Sequence, residues 1–200
     1  MKKCFVFLAL FLPLCGMAQQ AEDAETDYLS RLPVRDGKVV FSDTLALPAG
    51  KTKSEIRNML SSVLGQYLKD KRGFVKLNDT ISNRLVVQVF NYMEVEKRAL
   101  SLFAMWAKYN LTVDYSGDNC LMEIDNIVLI EPDSENAGKI LARKRDISDS
   151  ANDGSFSAED VFLKKRYKVA FVSNAANKTA GHFIADVEKL RLLLEKELNK

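Results

Sequence analysis

The chain holds one histidine, His182, and three cysteines, Cys4, Cys15 and Cys120, so nucleophilic catalysis has few ways to be built. A Ser-His-Asp or Cys-His arrangement would have to use His182 as its base. That residue stands beside Phe183 near the start of a helical stripe, where a surface or helix-end histidine is the plainer reading. Cys120 would be the nucleophile of a Cys-His pair. It alternates with Met122 and Ile124 on one strand face, and a free cysteine in such a place behaves as a small hydrophobe. One histidine and one mature cysteine cannot build a tetrahedral zinc site without carboxylates. Asp149, Asp153, Glu159 and Asp160 lack the alternating oxygen-ligand order and terminal glutamate of a calcium loop. Gly50-Lys51-Thr52 is a fragment of a phosphate loop, but the first glycine of that pattern would fall on Leu45. Glu123 and Asp125 share a strand face and invite a glycoside-hydrolase reading; a charged outer face explains them without chemistry. No catalytic, cofactor-binding or metal residue is assigned, and no cofactor is expected.

The address of the chain comes from its first residues. Lys2 and Lys3 precede the apolar run Cys4 to Leu14, and Gly16-Met17-Ala18 precedes Gln19. This is a positive segment, a short apolar segment and a small-residue cleavage site, read as a signal peptide over residues 1–18. The run is too short for a permanent span, so the mature chain is expected to have no transmembrane helix. The expected location is periplasmic or secreted. The alternative is an outer-membrane lipoprotein anchored at Cys15, which Leu14 before the cysteine disfavours. Removing the signal discards two cysteines and two lysines, and leaves 27 basic against 27 acidic residues. A neutral chain with one thiol is neither a disulfide scaffold nor a typical nucleic-acid binder.

Polar residues 19–31 read as a flexible leader, with one domain over 32–199. Asp36-Gly37 signals a turn, and Lys38 to Leu47 a strand. Thr52-Lys53-Ser54-Glu55 has capping-box spacing, and Ile56, Met59, Leu60, Val63, Leu64 and Tyr67 follow at helical steps to about Lys69. Phe74–Leu77 and Arg84–Met93 read as a hairpin. In the second of these, Leu85, Val87 and Val89 face one side and Val86, Gln88 and Phe90 the other. Residues 94–102 have helical propensity.

The clearest pattern is the alternation of Phe103, Met105, Ala107, Tyr109, Leu111, Val113 and Tyr115. It predicts a strand with one face on the core and the other toward water. By parity Trp106, Lys108, Asn110, Thr112 and Asp114 occupy the outer face, and they are the candidate contact face. A return strand runs from Cys120 to about Ile130. Residues 131–172 form a charged insertion or loop, with helical turns over 137–145, a loop over 146–155, a helix start at Ser157–Asp160, and an ambiguous Tyr167–Val172. A last helix is expected from Ala180 to Asn199 on the stripe of Phe183, Ile184, Val187, Leu190 and Leu194.

The expected fold class is α+β, an antiparallel sheet of about five strands with two main helices packed on one face. Leu32-Pro33-Val34-Arg35-Asp36-Gly37-Lys38-Val39-Val40-Phe41, the capped helix and Glu123-Ile124-Asp125-Asn126-Ile127 together resemble a bacterial exported domain-of-unknown-function family with a TATA-box-binding-protein-like (TBP-like) fold. The resemblance covers about residues 32–130. It implies a curved antiparallel sheet backed by two helices, here those at 52–69 and 180–199, and it transfers no site, since the family carries no established activity. DNA binding does not follow from the fold's name. The expected function is an exported non-enzymatic binding or interaction module of the bacterial envelope, meeting an unknown protein or envelope ligand. The alternative is an envelope or secreted hydrolase using unassigned carboxylates.

Overall fold

The computed structural model describes residues 26–98, 101–131, 155–164 and 173–199. The expected signal peptide and the Cys15 question lie outside the described residues. So do the turns expected over 137–145, most of the 146–155 loop, and Tyr167–Val172.

A short hairpin, β1 (Val34–Arg35) and β2 (Lys38–Val39), opens the chain. Its turn is Asp36-Gly37, with φ of 52° and 73°. Two consecutive left-handed residues are what a two-residue hairpin needs, and Asp-Gly supplies them cheaply. The strand expected over Lys38–Leu47 is thus two, parted at Val40, and β3 (Phe41–Ala46) joins the main sheet. Helix α1 (Lys53–Tyr67) begins at Thr52 with the expected capping box: the Thr52 hydroxyl accepts from Glu55 N–H, and the Glu55 carboxylate accepts from Thr52 N–H at 2.8 Å. Those bonds, backbone first, hold the Glu55 carboxyl below the ordinary range.

Then come β4 (Arg72–Asp79), β5 (Arg84–Arg98), β6 (Ser101–Asp114) and β7 (Asn119–Ile130). The helical propensity of 94–102 is overridden. β5 and β6 pair along their whole length, and the inward-facing Met93 and Val95 continue the buried face. Long-range pairing of a buried face outweighs a local propensity worth tenths of a kcal/mol per residue, roughly. The sheet order is β3-β7-β6-β5-β4, all antiparallel, and a sixth strand, β8 (Ser155–Ser157), pairs with the far half of β7. One strand beyond the expected five therefore comes from the charged insertion, whose three residues carry no alternation to read. A π-helical turn, Glu159–Leu163, follows.

The last helix, α2, runs Ser173–Leu198 and begins well before the expected Ala180. Its extra turns pack through small residues, with Ala175, Ala176 and Thr179 buried, so they show no large apolar stripe. Asn177 accepts from the backbone N–H groups of Tyr28 and Leu29 at 2.7 and 3.2 Å. A Cβ on Gly181 would lie 2.8 Å from the Tyr28 ring. The end of the expected leader is thereby fastened to α2. Both helices cover one sheet face. Phe183 meets Phe41 at 5.3 Å and stands edge-on to Tyr109 at 5.2 Å. Met105, Ala107, Tyr109, Leu111 and Val113 are fully buried beneath them, on the face the alternation predicts.

Register on β7 changes once. Cys120, Met122 and Ile124 face inward, then Ile127 and Leu129 do. The switch is a bulge in which Asn126 and Ile127 oppose Tyr109, with Asn126 at φ 50°. A bulge inserts one residue and flips the parity beyond it.

Candidate functional site

Two polar regions lie on opposite faces of the sheet. On the outer face the register sets residues in rows. One row across β4 to β7 is Phe74, Gln88, Asn110 and Asp125. The next is Arg72, Phe90, Lys108, Val128 and, on β8, Ser157. The five candidate contact residues therefore run along β6, one to a row, and their surroundings differ.

Trp106 is half-buried in an apolar patch with Phe90, Ile130, Phe74 and Val128. Tyr92 tilts against it at 5.0 Å, and the Arg72 guanidinium lies 5.9 Å from the centre of a Trp106 ring. Lys108 is 8% exposed and Asn110 half-buried, and both line a cleft of about 750 Å³. Thr112 is half-buried between Val86 and Glu123. Asp114 turns to its own loop and accepts from the Ser116 hydroxyl and N–H at 2.7 and 2.9 Å, the hydroxyl bond chiefly depressing its pKa.

The cleft has a floor and a wall. Gln88, Lys108, Asn110 and Asp125 form the floor. The β1–β2 hairpin gives one wall, and Ser157 and Glu159 also line the cleft. The hairpin is tied to Glu159: Val39 N–H donates to the Glu159 carboxylate at 2.9 Å. Arg35 is anchored by Glu123 at 2.7 Å, a hydrogen-bonded pairing that raises its pKa. Asn126 of the bulge also lines the cleft.

Gln88 is the residue that sequence reasoning passed over. Its parity was plain, but its environment was not. It is 3% exposed, and among the described residues its side-chain amide makes no hydrogen bond within the protein. Neither amide atom is sealed from the surface; both reach the cleft. Asn110, its direct cross-strand neighbour, likewise has no hydrogen bond from its amide.

The helix-covered face holds the second region. The Asp186 carboxylate on α2 accepts from Tyr67 at 2.6 Å, from Asn91 at 3.2 Å and from Tyr109 at 3.3 Å. Lys71 Nζ pairs with its other oxygen at 2.8 Å and sits 4.2 Å from the Tyr67 ring centroid. The two tyrosine hydroxyls are 2.5 Å apart. A chain in which Tyr109 donates to Tyr67 and Tyr67 to Asp186 satisfies both donors. Burial, foremost, raises both tyrosine pKa values well above the ordinary range; negative charge on Asp186 adds to it. This cluster ties α2 to α1 and to β5 and β6.

His182 is exposed within α2, not near its start as expected, and Cys120 is fully buried on β7, so the two do not pair. Burial pushes the Cys120 thiol up to about 12, an inert setting. Among the described residues no three His, Cys, Asp or Glu side chains group as a metal site, and no helix is long and apolar enough to cross a membrane.

Comparison with known proteins follows the fold. No family model and no curated protein matches the chain. A TBP-like protein from Parabacteroides distasonis has a similar crystal structure, with a TM-score of 0.59 and 17% identity over 84% of this chain and 97% of its own. A DUF4468 family protein from Bacteroides ovatus is similar at a TM-score of 0.51 and 22% identity, over 80% of this chain and 89% of its own. At these identities the likeness is one of fold. The chain is an α+β protein of the TBP-like architecture, an open antiparallel sheet with two helices on one face, as the sequence resemblance implied.

Proposed function

We propose that the protein is an exported, non-enzymatic binding module that receives an envelope ligand or protein partner on the outer face of its sheet. The observation that carries this reading is Gln88: a residue 3% exposed whose amide opens on the cleft without a hydrogen bond among the described residues. An amide that opens on a cleft without a protein partner is left to solvent there, and a ligand that supplies complementary bonds takes the place of that water. Two nearby carboxylates are already engaged, Glu123 by Arg35 and Glu159 by Val39 N–H, which supports binding over hydrolysis. The neutral mature charge, and the acidic Asp36, Asp125 and Glu159 interspersed with the cations that line the cleft, argue against nucleic acid.

The test is crosslinking of the protein in the intact envelope, with partners identified for the wild type and for folded Trp106→Ala, Lys108→Ala and Asn110→Ala variants. Loss of the same partner from the Lys108 and Asn110 variants is the expected result. Retention of every partner by all three removes this face as the contact site.

A further inference from the structure

We infer that the cleft takes a neutral, hydroxyl-rich ligand, a short oligosaccharide, held by the side-by-side amides of Gln88 and Asn110; the inference rests on the binding reading above.

The chemistry of the floor selects this class. Each amide offers one acceptor oxygen and two N–H donors. A sugar hydroxyl also both donates and accepts, so an amide can serve two neighbouring hydroxyls with complementary bonds. Gln88 and Asn110 are direct cross-strand partners with outward side chains, which sets their Cβ atoms about 5 Å apart. Two such forks on a rigid sheet present a fixed row of donors and acceptors. Because neither is committed among the described residues, no bond between these must break when a ligand arrives.

Charge points the same way. Four cations line the cleft, Arg35, Lys38, Lys76 and Lys108. Asp36, Asp125 and Glu159 line it too, and Glu123 pairs with Arg35 from beside it. With Glu123 counted, cations and acids at the cleft are equal in number, so neither sign of ligand charge is favoured by an excess. A ligand without charge avoids the desolvation that an ion would suffer there. The volume, about 750 Å³, is in the range of ordinary small-ligand sites, roughly 300–1,000 Å³. A peptide main chain offers a similar complement of donors and acceptors. Peptides are usually held by sheet edges or apolar side-chain pockets, however, and these amides stand on a sheet face with polar walls.

Titration calorimetry of the purified protein tests the class. The probes are neutral trisaccharides of glucose, mannose, galactose and N-acetylglucosamine, with tri-alanine and inorganic phosphate alongside. At least one trisaccharide is expected to bind, and Gln88→Leu and Asn110→Asp each to weaken it tenfold or more with unfolding midpoints no lower than 5 °C below wild type. Asn110→Asp keeps the shape while removing the N–H donors, so it tests the amide even if Gln88→Leu misfolds. Failure of every trisaccharide to bind overturns the inference, as does binding that folded variants leave unchanged. Binding of tri-alanine or phosphate in place of sugar, lost in the same variants, also overturns it while the binding reading stands. That reading falls separately, if the envelope crosslinks persist in the contact-face variants.

Discussion

The two polar regions of this protein are built from similar side chains and are settled in opposite ways. Beneath the helices, Asp186 collects Tyr67, Tyr109, Asn91 and Lys71, and the carboxylate and its donors answer one another. On the outer face, Gln88 and Asn110 lie together with no partner for their amides among the described residues. A closed network fixes geometry and leaves little capacity for a ligand. An open pair keeps that capacity. Tyr115 sharpens the distinction. Its hydroxyl also lacks a partner among the described residues, but it is 1% exposed, sealed in the core and away from the cleft. An unmet polar group suggests a site only where a ligand can reach it.

The largest effect should come from breaking the closed region. Asp186→Ala leaves the Lys71 ammonium, its side chain 6% exposed, without its counter-charge and strips Tyr67 and Asn91 of an acceptor. Removing one partner of a largely buried pair typically costs about 3–5 kcal/mol. Urea unfolding monitored by circular dichroism should show a loss of that order. A loss below about 1 kcal/mol, the scale of an exposed pair, would show that the cluster is decorative and would dissolve the contrast.

Alkaline pH probes the same region more gently. Tyr67 and Tyr109 have folded pKa values well above the unfolded value of 10.0, burial being the first cause. Below pH 10 both are protonated in either state, and their contribution is fully present. Above it the unfolded chain releases protons that the fold retains, so stability declines as pH rises toward the folded values. The slope is about 1.4 kcal/mol per pH unit for each tyrosine. Stability measured from pH 9 to 11.5 should fall more slowly in Tyr109→Phe, which has one fewer buried phenol to ionise. An unchanged slope would remove Tyr109 from the account.

These regions differ also in how well they can be read from sequence. The inward face of β6 and the five outward residues were legible because alternation is a local signal that needs no partner. The capping box and the Asp36-Gly37 turn are local in the same sense. Asp186 was not legible. It stands on α2 among Glu188, Lys189 and Arg191, and nothing in its neighbourhood says that it meets Lys71 and Tyr67 across more than a hundred residues. The alternation of β5 gives Gln88 its outward face, but whether that face is open or recessed depends on distant segments. One is the β1–β2 hairpin, and the other is β8 with its π-helical turn, three residues and five residues long, respectively. Such short segments carry no periodicity. α2 began earlier than its apolar stripe because alanines, not large side chains, fill the approach to Tyr28 and the core.

The smallest predicted effect is the most diagnostic, because its sign separates the two regions. Gln88→Leu replaces an amide that makes no hydrogen bond among the described residues with an apolar side chain of similar bulk. Removing an unmet polar group is neutral or stabilising where the new side chain fits. Its neighbours in the row, Phe74 and Asn110, leave one apolar surface for the new methyl groups to meet. The expected outcome is a change between zero and about 1 kcal/mol in favour of the folded state, the lower part of the penalty for an unpartnered amide, read from the same urea curves used for Asp186→Ala. A substitution that preserves or raises stability while abolishing ligand binding marks a residue retained at a cost to the fold. If Gln88→Leu instead destabilises by 2 kcal/mol or more, well beyond that range, then the amide has a structural role in the native protein. The outer cleft would then be a second closed region, and the contrast with Asp186 would fail at its central residue.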